Sequence, residues 1–194
     1  MSKLWGCADL PHGCNYPEVE WVNEDGMTCA DPMTFICQIR LQDIAAYDSE
    51  NLLPHTGMLY FFADIDYFLG NLEADSPGMG QWDKDRYRVL YAPDTEHLDT
   101  HRIVCEDGTA FGLPVQELSF VPCEERADGF KLLGKPYFEE TGEEYPHYIS
   151  LLQLDCNDDW RLQFYDCGML NFLITPEDLA ARKWEQAICH LHSF

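Results

Sequence analysis

The sequence predicts a mainly β fold of the α+β class, internally duplicated with pseudo-two-fold symmetry, carrying few short helices and one helix near the C-terminus. Three observations predict it. Short apolar runs bounded by Gly, Pro, Asn or Asp recur along the chain, which is the pattern of strands rather than helices. The chain repeats its own motifs in the same order: Lys3-Leu4-Trp5-Gly6, Gly13 to Pro17, Ile36-Cys37-Gln38-Ile39 and Gly57 to Phe62 are followed by Lys131-Leu132-Leu133-Gly134, Gly142 to Pro146, Leu151-Leu152-Gln153-Leu154 and Gly168 to Leu173. The offset between matching blocks falls from 128 or 129 residues to 115 and then 111, as changes in loop length produce. Finally, only one segment, beginning at Thr175, carries a full set of helix-start signals.

Strands are expected at 33–39, 57–63, 86–91, 101–105, 116–121, 148–155, 160–165 and 168–174. Asn157-Asp158, between two of these runs, reads as a tight hairpin turn, because both residues tolerate the backbone angles it needs. Gly57 and Gly168 each open a strand, where a positive φ is expected. Residues 40–47 form a brief helix, and Asp64 caps another through Tyr67 and Phe68. Residues 70–85 are rich in Gly, Pro, Asp and Ser and read as a loop. From Thr175 the signals are an N-cap, Pro176 at the first helical position, and Glu177 and Asp178 at the positive end of the dipole. Ala180, Trp184, Ala187, Ile188 and Leu191 then share one helical face, so the helix is expected to run to the C-terminus. The resulting organisation is one domain over 1–194, built from repeats at about 1–70 and 131–194 joined by a β-rich connector at 71–130.

The composition, 46% hydrophobic and 13% aromatic, supports a packed core. No apolar run approaches the roughly 18–20 residues of a membrane span, and the start lacks the pattern of a signal peptide. Nine cysteines at irregular spacing, without an export signal, are expected to be reduced thiols in a cytoplasmic protein. The formal charge is −23, from 35 acids against 12 Lys and Arg. Such a chain repels phosphate backbones, so nucleic acid is not an expected partner, whereas a basic protein is.

Gln38 and Gln153 each interrupt an apolar strand at the equivalent place of its repeat. With Asp155 they form the candidate ligand-binding set; alternatively the two amides satisfy buried backbone groups. Asp155, Asn157, Asp159 and Asp166 echo the spacing of a calcium loop, but Trp160 stands where that loop needs glycine, so a turn accounts for them better. Cys7, His12 and Cys14, and separately Cys189, His190 and His192, offer zinc-compatible atoms without a Cys-x-x-Cys knuckle. His97 and His101 have ligand spacing outside a helix. No metal or other cofactor is expected. Nucleotide-loop and serine-hydrolase signatures are absent from the sequence.

The same blocks resemble the YwqG-like family, bacterial proteins built on a domain of unknown function. The resemblance rests on Lys3, Gly6, Leu10-Pro11, Gly13 and Tyr16-Pro17, on Phe35 to Ile39, and on Leu53-Pro54-His55-Thr56-Gly57-Met58-Leu59-Tyr60-Phe61-Phe62. It continues in Leu151 to Asp155 and in Asp166-Cys167-Gly168 through Phe172. The chain departs from the pattern at Cys7, Ala8 and Tyr16, where the family carries Gly, Pro and Trp. The resemblance implies a duplicated, mainly β fold and brings no established activity.

Two functions follow as expectations. The first is a non-enzymatic acidic module that binds a basic protein, an immunity or antitoxin role being one concrete form. The second is an enzyme or small-ligand binder with its site between the repeats, near Gln38, Gln153 and Asp155.

Overall fold

The computed structural model describes residues 1–105 and 108–194. The chain is mainly β and divides into two compact units: unit 1 comprises Met1–Asp64 and Asp85–Phe120, and unit 2 comprises Ile65–Lys84 and Val121–Phe194. Residues 71–130, read from the sequence as a connector, are therefore divided between the units.

Unit 1 contains β1 (Lys3–Leu4), β2 (Ala8–Pro11), β3 (Glu18–Val22), β4 (Thr28–Pro32), β5 (Thr34–Arg40), the short α1 (Leu41–Ile44), β6 (Met58–Ala63), β8 (Tyr87–Ala92), β9 (Leu98–His101) and β10 (Gln116–Glu117). Its main sheet runs β10-β1-β5-β6-β8, and β2-β9 and β3-β4 form two separate ribbons. Unit 2 contains β7 (Gly80–Gln81), β11 (Lys131–Leu132), α2 (Glu139–Glu144), β12 (Ile149–Asp155), β13 (Met169–Ile174), α3 (Pro176–Ala180) and β14 (Ile188–His192). Its sheet runs β11-β12-β13-β14-β7. All the pairings in both sheets are antiparallel.

The duplication is visible strand by strand. Lys3 lies opposite Gln38, and Lys131 lies opposite Gln153. Both central strands carry a bulge at the same place, Ile36 in β5 and Leu151 in β12. The carbonyl freed at each bulge accepts the N–H of a left-handed residue just after the first strand: Trp5 (φ 58°) to Ile36 at 2.8 Å, and Leu133 (φ 63°) to Leu151 at 3.2 Å. Two non-glycine residues held at positive φ by one shared hydrogen bond mark a corner that both copies kept.

Each sheet has an apolar face made by alternation. In unit 1, Phe35, Met58, Tyr60, Phe62 and Ala92 pack under Ala8 and Leu10 of β2. In unit 2, Phe68 stacks on Trp82 with centroids 6.0 Å apart and lies 5.3 Å from Phe164. No helix among the described residues is long and apolar enough to cross a membrane.

Several elements differ from the sequence expectation. The C-terminal helix does begin where its cap predicts, but α3 ends at Ala180. A short 3-10 turn covers Trp184–Gln186, and Ile188–His192 is a strand. The apolar residues at 187, 188 and 191 fit a buried strand as well as a helical stripe, and pairing with β13 on one side and β7 on the other decides the matter. Residues 160–165 form no strand; Asn157 caps a 3-10 turn at Asp158–Trp160 and makes an isolated bridge to Leu162. The cap position of the turn at Asp66–Leu69 is Ile65, not Asp64, and the Asp64 carboxylate takes the Arg86 guanidinium at 2.5 Å. Gly57 has the expected positive φ of 84°, whereas Gly168 does not stand among the positive-φ glycines.

Candidate functional site

The twinned glutamines are completely buried. The Gln38 carbonyl oxygen accepts the N–H of Asp9 at 3.0 Å, and its amide donates to the Met1 carbonyl at 3.2 Å and the Asp9 carboxylate at 2.9 Å. Gln153 accepts from the N–H of Tyr137 at 2.9 Å and donates to the carbonyls of Ala127 at 3.2 Å and Gly129 at 3.0 Å. Both amide hydrogens of each residue are thus spent inside its own unit. The Asp155 carboxylate accepts the N–H of Gly129 at 3.1 Å and of Cys156 at 2.7 Å.

Beside each glutamine lies a buried lysine, solved differently in the two copies. Lys3 donates to the Asp9 carboxylate at 2.6 Å. Asp9 also accepts from Thr100 at 2.7 Å, and its backbone carbonyl takes the Tyr60 hydroxyl at 2.7 Å. Burial alone would raise the Asp9 carboxyl, but the bonds from Lys3, Thr100 and Gln38 outweigh it and hold the group below its usual range. Among the described residues Lys131 forms no ion pair with a carboxylate. It donates to the carbonyls of Glu125 at 2.9 Å, Ala127 at 3.1 Å and Lys135 at 2.7 Å, and burial pushes it below the ordinary lysine value. Three acceptors saturate one ammonium, so the charge is used to tie the 125–135 loop to the sheet.

The second polar feature was not singled out by sequence reasoning. On one face of the unit 2 sheet, Lys131, Gln153, Asn171, His190 and Gln81 stand in consecutive register across five strands. Asn171 is 1% exposed and His190 2%. The Asn171 carbonyl accepts the Ser150 hydroxyl at 2.8 Å. Tyr145 packs edge-on against His190 at 5.0 Å, and the Glu144 carboxylate lies 3.9 Å from His190 Nε2. Burial lowers the His190 pKa, with the Glu144 carboxylate acting against it. The row was hidden because Asn171 looks like an ordinary variation inside an apolar run, and His190 was assigned to a helix.

The C-terminal Cys/His set is split across its strand. Cys189 is completely buried and alternates with His190 and His192 along β14, on the opposite side of the strand. Among the described residues no three His, Cys, Asp or Glu side chains are arranged to hold a metal ion. His12 instead meets Asp99 at 2.7 Å. All nine cysteines are free thiols.

The third feature is the β3-β4 ribbon, whose two strands pair only with each other among the described residues. It exposes Glu18, Glu20, Glu24, Asp25 and Asp31, with no Lys or Arg between residues 18 and 32. Between these acids it also exposes Trp21 (46%), Val22 (66%) and Met27 (57%). The Trp21 indole N–H donates to Asp31 at 2.7 Å, which fixes the ring across the ribbon.

The class is a duplicated, mainly β fold in which each copy holds a buried, hydrogen-bonded Lys–Gln pair. The chain belongs to the family described as Domain of unknown function (DUF1963), which it matches over residues 2–126 and again over 114–192. No curated protein matches the chain.

Proposed function

We propose that the protein is a non-enzymatic, acidic binding module that docks a basic protein through the β3-β4 ribbon. The observation that carries this reading is the composition of the ribbon surface: carboxylates without a neutralising base, interleaved with exposed Trp21, Val22 and Met27. Exposed apolar residues flanked by one sign of charge suit a partner that buries an apolar anchor and rings it with Lys and Arg. The free outer edges of both strands add main-chain donors and acceptors for an extended basic segment. An immunity or antitoxin-like role is a concrete form of the same chemistry. Within the family, the motifs at Leu53–Phe62 and Leu151–Asp155 support grouping the chain with the YwqG-like bacterial proteins. A cytoplasmic location rests on the unpaired thiols.

The alternative of a ligand held by Gln38, Gln153 and Asp155 has less support, since the amide donors of both glutamines are engaged within the fold.

The test is capture of partners from native cells by the wild-type chain and by a ribbon variant carrying Glu18→Gln, Glu20→Gln and Trp21→Ser. A basic partner retained only by the wild type, with an on-rate that falls between 0.01 M and 0.1 M salt, is the expected result. A partner held equally by both proteins, or an on-rate indifferent to salt, overturns the proposal.

A further inference from the structure

On α2 and on the strands β13 and β14 that it packs against, four polar atoms are buried without a hydrogen-bond partner among the described residues: Thr141 Oγ1, Asn171 Nδ2, His190 Nδ1 and His192 Nε2. The layer is bounded by α2 above and β13-β14 below. Phe138, just before α2, packs on His192 with centroids 4.8 Å apart, and Tyr145, just after it, packs on His190. Thr141 stands one turn before Tyr145, whose N–H its backbone carbonyl accepts at 3.0 Å; it is completely buried and falls at helical spacing between Phe138 and Tyr145, on the face of α2 that meets the sheet. Asn171 sits beside His190 in register.

Unpaired buried polar groups carry the full cost of their lost hydration. The duplicate shows that the fold does not require them here. In unit 1 the place of Asn171 is taken by Tyr60, and the place of His190 by Leu90, which pairs with Tyr60 as His190 pairs with Asn171. There the layer is filled by Ala8 and Leu10, and the Tyr60 hydroxyl reaches the Asp9 carbonyl. One copy closes this layer with apolar side chains and a hydrogen-bonded Tyr60 hydroxyl, and the other leaves polar atoms in it without a partner among the described residues.

We propose that the layer between α2 and β13-β14 is a binding site for a small uncharged ligand that presents a hydrogen-bond donor beside an acceptor, as a primary carboxamide or a lactam does. The polarity of the site sets this class. In the tautomer that carries its proton on Nε2, the nitrogen 3.9 Å from the Glu144 carboxylate, His190 offers Nδ1 as an acceptor. The adjacent Asn171 amide is a donor, and the Thr141 hydroxyl is a second. Glu139, Glu140, Glu143 and Glu144 on α2 repel anions. Phe138 and Tyr145 supply flat walls. The row from Asn171 through His190 ends at exposed Gln81 on the two-residue edge strand β7, where Tyr145 also donates to Gln81 at 3.4 Å. α2 itself is the part that yields: it has six residues, contains Gly142 and has no side-chain cap.

The test titrates the protein, labelled with 15N-histidine, with acetamide and 2-pyrrolidone, using acetate and acetone as the anionic and donor-free controls. The two amides should move the His190 Nδ1 resonance saturably, at concentrations at least tenfold lower than either control. Thr141→Val, which keeps the volume, and His190→Leu, which installs the residue unit 1 carries, should each weaken amide binding about tenfold or more while melting no lower than the wild type. For His190→Leu the readout is the Asn171 side-chain amide. No saturable shift, an equal response to acetate or acetone, undiminished binding in both variants, or ordered water that no probe displaces would each overturn the proposal. Loss of the fold in both variants would overturn it too, by showing that the layer is structural.

Discussion

Gln38 and Asp9 bond to each other twice: the backbone N–H of Asp9 donates to the Gln38 carbonyl at 3.0 Å, and the Gln38 amide donates to the Asp9 carboxylate at 2.9 Å. This reciprocal contact fastens β2 to the centre of the unit 1 sheet. Gln153 does the same work in unit 2, with the 127–137 loop as its partner. A strand glutamine therefore acts here as a clasp for irregular chain that crosses the sheet.

Replacing either clasp with leucine should be costly although the site is buried. Gln38→Leu strands a buried N–H and removes two acceptor contacts, and Gln153→Leu does the same. At about 1–3 kcal/mol for each buried group left unsatisfied, a loss of roughly 2–4 kcal/mol is expected for each variant. Urea titration measures it. A loss below about 0.5 kcal/mol would show that the loops are held by other contacts.

Asp9 makes the fold sensitive to acid. Its carboxyl is held below the ordinary value of 3.8, so the unfolded chain takes up the proton first as pH falls. The stabilisation is present in full above about pH 4 and is lost as pH drops through the lower folded-state value. Asp9→Asn should melt lower than the wild type at pH 6, and the gap should narrow towards pH 2. Melting curves across that range decide it; a constant gap would mean that the charge of Asp9 is irrelevant.

Gly57 and Gly168 should both reject alanine, for partly different reasons. At Gly57 an added Cβ meets the Ala92 carbonyl, and φ is 84°. At Gly168 it meets the Phe164 and His192 carbonyls without any positive φ. Each substitution should destabilise by more than about 1 kcal/mol. If backbone angle alone matters, Gly168→Ala will be silent.

What the sequence revealed depended on whether the signal was local or repeated. The central strands at Thr34–Arg40, Met58–Ala63, Ile149–Asp155 and Met169–Ile174 were legible because each apolar run had a twin. The cap at Thr175 was legible because its chemistry lies within four residues; the side chain accepts the Asp178 N–H at 3.1 Å. β14 was not, because helix and strand fit its apolar residues equally and the choice is made by β13 and β7, remote in sequence. β2, β3 and β4 were missed because acids and prolines dilute their alternation. The glutamines were visible as interruptions, but Thr141, Asn171 and His190 come together only through register and helix packing, which spacing does not encode.

Net charge gives the last prediction. With 35 acids and 12 Lys and Arg, pairing leaves most carboxylates facing their own kind. Exposed pairs such as Lys135–Glu125 and Lys183–Asp178 offset little of this, because surface ion pairs contribute about 0–1 kcal/mol and are themselves screened. Folding brings the carboxylates closer together than they are in the unfolded chain, so repulsion weighs on the native state. Raising salt from 0.01 M to 0.1 M shortens the screening length from about 30 Å to about 10 Å, which relieves the repulsion between distant charges first. Each kcal/mol recovered corresponds to about 2–4 °C in a chain of this size. The melting temperature should therefore rise by several degrees over that range in sodium chloride, and by the same amount in potassium chloride if screening is the cause. The Glu18→Gln, Glu20→Gln, Trp21→Ser ribbon variant should show a smaller rise, since it carries two fewer negative charges. A melting temperature that falls with salt would mean that attractive pairs outweigh the excess of acid, and would remove the electrostatic ground for a basic partner.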